Sequence, residues 1–97
     1  MYQIIQSAEF AKWLSKLKDL RAKDHVLTRL ARIEEGLFGD IKPVGDGVSE
    51  ARIHYGAGYR LYFIQCGAVV VVMLAGGDKS SQARDISKAK EIAKEWR

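Results

Sequence analysis

Hydrophobic and polar positions alternate with two different periods along this chain, and the switches between them mark its elements. Tyr2–Gln6 is short and rich in β-formers, which predicts a strand. Phe10, Trp13, Leu14 and Leu17 then recur at i, i+3, i+4 and i+7, one apolar face of a helix. Ser7 is its cap, and Glu9 lies in the first turn, where the helix dipole favours an acid. A short charged break over Asp19–Lys23 precedes a second helix, from about Asp24 to Glu35. Val26, Leu27, Leu30 and Ile33 form its buried side, and Gly36 its C-terminal stop. So short a connection predicts an antiparallel helical hairpin, its outer faces carrying Lys16, Lys23, Arg29 and Arg32. Leu37–Gly47 holds the only proline, Pro43, with Gly39, Gly45, Gly47 and Lys42, and reads as a long irregular loop of the kind that is often functional.

The period then changes to two. Val48–Phe63 reads as two alternating runs around a glycine-rich turn, each with an arginine in its interior, Arg52 and Arg60. Loop length sets the register. A loop over Tyr55–Tyr59 places His54 opposite Arg60 and Arg52 opposite Tyr62, so that all four share one face. A loop one residue shorter sets Arg52 against Leu61 and mixes the faces, putting cations into the core, so burial selects the first register. Val69–Ala75 is continuously apolar, as a central strand covered on both faces must be. A last helix starts near Ser80 or Ser81 and runs toward Trp96. Ala83, Ile86, Ala89 or Lys90, Ala93 and Trp96 mark its packed side, and Gln82, Arg84, Asp85, Lys88 and Lys94 lie mostly outside. The order β-α-α-β-β-β-α is α+β. It implies a small, mostly antiparallel sheet with an N-terminal helical hairpin on one face and a C-terminal helix, in a single domain over residues 1–97.

Composition narrows the partners. Lys plus Arg is 16 against 12 for Asp plus Glu, a net charge of +4 that favours an anionic partner without naming one. One cysteine, Cys66, excludes an internal disulfide and a cysteine-rich zinc site, and points to a reducing cytoplasm. Two distant histidines and no clustered carboxylates imply no metal, and no cofactor motif is present. Gly76-Gly77-Asp78-Lys79-Ser80 lacks the spacing of a phosphate loop. No apolar run is long enough to span a bilayer, and no membrane partner is expected.

The order of elements, together with Glu50-Ala51-Arg52-Ile53, Gly58-Tyr59-Arg60-Leu61-Tyr62-Phe63 and the run Leu74–Ile86 (LAGGDKSSQARDI), resembles the RelE/ParE toxin superfamily. Within it, the likeness is to the addiction-module killer branch related to the HigB toxins. Ala51 departs from the pattern, where a larger aliphatic is usual. The resemblance implies a toxin of a type II toxin–antitoxin pair. Its partners would be an antitoxin, a DNA-binding protein encoded by an adjacent gene, and mRNA on the ribosome. RelE-type members cut mRNA, ParE-type members poison DNA gyrase, and the fold alone does not choose between them. A bare RNA- or protein-binding module is a third reading.

Metal-free RNA cleavage needs a base for the 2′-hydroxyl, cations around the scissile phosphate and an acid for the 5′-oxygen. Arg60 matches the second-strand arginine that RelE-like nucleases use for the phosphate. Arg52 suits the same task from the first strand, and Lys79 would complete the clamp. His54 is the candidate acid or base. Tyr62, with Tyr55 and Tyr59, is a candidate to stack a base or orient a hydroxyl. Lys42 and Arg84 join Arg52, Arg60 and Lys79 as candidate RNA contacts.

Overall fold

A computed structural model describes the whole chain, Met1–Arg97. Five strands form one sheet in the order β1-β5-β4-β3-β2: β1 (Gln3–Gln6), β2 (Ile41–Gly45), β3 (Val48–Ile53), β4 (Tyr59–Cys66) and β5 (Val70–Asp78). β1 runs parallel to β5, and every other pair is antiparallel. The helices are α1 (Ala8–Ser15), α2 (Leu20–Glu34) and α3 (Gln82–Ala93), the last entered through a 3-10 turn at Lys79–Ser81. The α+β architecture with a mostly antiparallel sheet is the expected one. None of the helices is long and apolar enough to cross a membrane.

The Ser7 hydroxyl caps α1, accepting from the Phe10 N–H at 3.0 Å, and donates to the Leu74 carbonyl at 2.7 Å, so the same side chain ties the helix to β5. Asp19 caps α2 by accepting from the Arg21 and Ala22 N–H groups. The expected charged break is therefore the helix start itself, and Arg21, Ala22 and Lys23 are good helix formers.

Two hydrophobic clusters lie on opposite faces of the sheet. On one, Phe10 and Leu14 of α1 and Val26, Leu30 and Ile33 of α2 pack on Ala51, Ile53, Leu61, Phe63, Val71 and Met73. On the other, Ala89 and Ala93 of α3 cover Val48, Tyr62, Ile64, Val72, Leu74 and Ala75. β4 and β5 are thus buried on both sides, which is why β5 reads as an unbroken apolar run.

Four expectations are corrected. Leu37–Gly47 is not wholly irregular: its second half is the edge strand β2, where Pro43 is tolerated because an edge strand lacks a partner on one side. Asp46 and Gly47, at φ 56° and 75°, make the tight turn into β3 that an Asp-Gly pair favours. The β3–β4 loop covers residues 54–58, so Arg52 stands opposite Arg60, Ile53 opposite Tyr59 and Glu50 opposite Tyr62. That is a shift of register that keeps the parity, so the two arginines and Tyr62 still share a face. Leu27 is 48% exposed rather than buried. α3 is turned from its expected phase: Asp85, Ala89 and Ala93 face the sheet while Ala83 is exposed.

Candidate anion-binding site

The face expected to be wet is only partly so. α3 covers it at Tyr62, and the open part begins one row further along. In that row, Asp40, just before β2, follows the β2–β3 ladder and receives the Arg52 N–H on its carbonyl at 2.9 Å. Arg52 then faces Arg60, and Arg60 faces Gly77. Gly77 has no room for a side chain, because a Cβ there would lie 1.8 Å from the Asp85 Oδ2. The row therefore reads carboxylate, guanidinium, guanidinium, carboxylate across the sheet.

Like charges directly opposite in a sheet repel, and guanidiniums do not escape by losing a proton. Arg60 is 8% exposed, and its Nε and Nη1 are buried with no hydrogen-bond partner. Arg52 donates from Nη2 to Asp40 Oδ1 at 2.9 Å but leaves its own buried Nε without a partner. A buried donor without a partner costs about 1–3 kcal/mol, and more when charged. Two such groups side by side are what an oxyanion-binding site requires, since each offers N–H groups that an anion satisfies.

His54 lies just past β3, with its side chain 70% exposed, and is held by Asp40 Oδ2 at 2.7 Å from Nε2. Those hydrogen bonds, from His54 first and Arg52 second, hold the Asp40 carboxyl below the usual carboxylate range. Arg29 reaches in from α2 and donates to the Arg52 carbonyl at 2.9 Å. Its burial pulls its pKa down, against the attraction of Asp40. Lys79 is exposed on the other side: its N–H donates to the Ala57 carbonyl, and its side chain passes beside Gly58. His54, Arg60 and Lys79 together line a shallow depression of about 290 Å³ with Tyr55, Gly56, Ala57 and Gly58.

Tyr62 is excluded from this site. It is fully buried under α3, and its hydroxyl donates to Glu50 Oε2 at 3.1 Å; Gln82 Nε2 donates to the same oxygen at 2.7 Å. Burial and then Glu50 push its pKa well above the ordinary phenol. The tyrosine shares the arginines' face, but the α3 helix closes over it. Tyr55 stacks on His25 with ring centroids 4.6 Å apart, and its hydroxyl reaches Asp19. Tyr59 packs against the α1–α2 core, where burial raises its pKa. Neither stands on the arginine face. Lys42 is exposed on β2 opposite Glu50, on the row next to the arginines. Arg84 lies apart from the depression, lining a separate cavity with Trp13, Gly76 and Lys88. Sequence reasoning missed Asp40, set Asp85 on the outside of the last helix, and carried Arg29 only as a cation on the outer face of the helical hairpin. Only the pairing of β2 with β3 brings Asp40 to Arg52, and α3's true phase turns Asp85 inward.

No family model matches the chain. An uncharacterized protein of Haemophilus influenzae is 50% identical over 93 residues, spanning 96% of this chain and 94% of that one. The chain belongs to that protein's family. Its fold is that of the E. coli toxin RelE. A free-state structure of a RelE mutant, with two arginines replaced by alanine, superposes with a TM-score of 0.75 over 93% of this chain and 95% of that one, at 19% identity.

Proposed function

We propose that this protein is the toxin of a type II toxin–antitoxin pair and acts as a metal-independent mRNA endoribonuclease. The observation that carries the reading is the Arg52–Arg60 pair, two adjacent guanidiniums with orphaned buried donors on the floor of an open face. The fold shared with E. coli toxin RelE supports the toxin part.

In the step this reading implies, Arg60 and Arg52 grip the non-bridging oxygens of one phosphate. The 2′-hydroxyl of the preceding ribose gives its proton to His54 as its oxygen bonds to phosphorus. The bond from phosphorus to the 5′-oxygen breaks, leaving a 2′,3′-cyclic phosphate. Lys79, on the far wall of the depression, donates the proton that the departing oxygen takes up. Arg52 and Arg60 gain on the pentacovalent state because it bears more negative charge than the starting diester. Lys42, one row away, is placed to contact the flanking backbone. An antitoxin that buries the arginine face would compete with RNA, and an adjacent gene for a small DNA-binding protein is the expected source. Action on ribosome-bound mRNA and the link to the HigB-related branch belong to this same proposal.

Induced expression followed by transcript end-mapping tests it. Discrete cuts in translated mRNA are expected, and Arg60→Ala should abolish them. Intact mRNA together with gyrase-dependent DNA damage would overturn the nuclease reading in favour of a ParE-type inhibitor.

A further inference from the structure

Asp40 was no part of the clamp, yet it is the one residue that touches both a guanidinium and the imidazole. Its two oxygens are divided, Oδ1 taking Arg52 Nη2 at 2.9 Å and Oδ2 taking His54 Nε2 at 2.7 Å. The backbone that carries it is fixed as well. The Asp40 carbonyl accepts from the Arg52 N–H at 2.9 Å. Gly39, at φ 73°, is in the left-handed region that favours glycine, and a Cβ there would lie 3.3 Å from the Arg29 guanidinium carbon. Arg29 in turn donates to the Arg52 carbonyl. The carboxylate thus sits on a braced support, beside a histidine that has little else to hold it.

A carboxylate only accepts hydrogen bonds, so a neutral His54 must carry its proton on Nε2 and leave the Nδ1 lone pair free. A histidine with a 70% exposed side chain would otherwise sample several rotamers and both tautomers. On the nuclease reading given above, we infer that Asp40 is a positioning residue. It locks His54 in the Nε2-protonated tautomer, so that Nδ1 is the atom that accepts the 2′-hydroxyl proton. The same carboxylate fixes the Arg52 guanidinium in one orientation by taking its Nη2 donor. Asp40 does not touch RNA. It acts through His54 and Arg52.

The test uses the full-length protein, Asp40→Asn and Asp40→Glu, with cleavage of a fluorescently labelled mRNA on programmed ribosomes and 15N spectra of the His54 imidazole in the free protein. Wild type should show the Nε2-protonated pattern, with Nδ1 unprotonated, at a pH where the ring is neutral. Asp40→Asn should show mixed tautomers. Its kcat should drop about 10- to 100-fold, a loss no larger than the one a general base itself supplies, with little change in KM. Asp40→Glu should recover part of both, and Asp40→Asn should keep the wild-type fold by circular dichroism. The inference is overturned if the His54 nitrogens are the same in wild type and Asp40→Asn, or if Asp40→Asn turns over RNA at the wild-type kcat. A wild type that cleaves no RNA, while its His54 tautomer still depends on Asp40, overturns the nuclease reading and leaves the locking of His54 standing.

Discussion

Replacing Tyr62 with phenylalanine separates a structural hydroxyl from a catalytic one. The ring fills the second core and stays in the variant; only the hydroxyl is lost. That hydroxyl donates to Glu50 Oε2 at 3.1 Å, and Glu50 is 1% exposed, so no bulk water replaces it. A hydrogen bond to a carboxylate contributes about 1.5–3 kcal/mol, and leaving a buried acceptor short of donors costs about as much. Gln82 still donates to that same oxygen at 2.7 Å, which places the loss toward the low end, at about 2 kcal/mol. For a chain of this size, 1 kcal/mol moves the melting temperature by roughly 4–8 °C, so Tyr62→Phe should melt about 10 °C lower. Urea unfolding followed by circular dichroism gives the free energy, and RNA cleavage at 20 °C, scaled to folded protein, gives the activity. Full activity with lowered stability is expected. An inactive variant with wild-type stability would refute the burial argument and return Tyr62 to the catalytic set.

Arg60→Met removes a buried, unpartnered guanidinium for an apolar chain of similar length, and should raise stability by about 1 kcal/mol in urea titration while abolishing RNA cleavage; lower stability would mean that the arginine is held by contacts not accounted for. Asp40 is held below its ordinary pKa by His54 and Arg52. Its contribution to stability should therefore be complete above the unfolded aspartate pKa and lost as pH falls through the lower, folded value. Urea midpoints measured down the acid range should fall less steeply for Asp40→Asn than for wild type; equal slopes would contradict the ion pairs. Gly76→Ala would set a Cβ 2.3 Å from Trp13 Cε3, between a strand backbone and the half-buried Trp13 indole. It should cost about 1–3 kcal/mol and shift Trp13 fluorescence, and an unaltered melting temperature would show that α1 moves freely.

Periodicity made most of the architecture legible. The i, i+3, i+4 pattern of Phe10, Trp13 and Leu14 and the unbroken run in β5 each had one physical solution. β2 was harder to read because Pro43 and three glycines argue for a loop, and an edge strand needs only half of its hydrogen bonds made. The Asp46-Gly47 pair was the available sign. The arginine pair was found for the right reason, since the alternation put both on one face, and the two-residue error in register preserved that parity. Tyr62 was misplaced because alternation says which face a residue takes, but not where a later helix will cover that face. The same blindness hid Asp85, which a change in the phase of α3 turns inward toward Gly77.

The row of Asp40, Arg52, Arg60 and Asp85 also bears on how a polyanion would find the protein. Two guanidiniums flanked by two carboxylates sum to no net charge, so at a separation well beyond their spacing their fields largely cancel. The excess of positive charge that draws RNA from a distance must then come from elsewhere, from residues such as Lys12, Lys16, Lys18 and Lys42, all exposed on the surface. Encounter and grip are thus divided between two sets of side chains. Salt should slow the approach through the lysines, while the arginine pair acts only on a phosphate already close enough to come between its flanking acids.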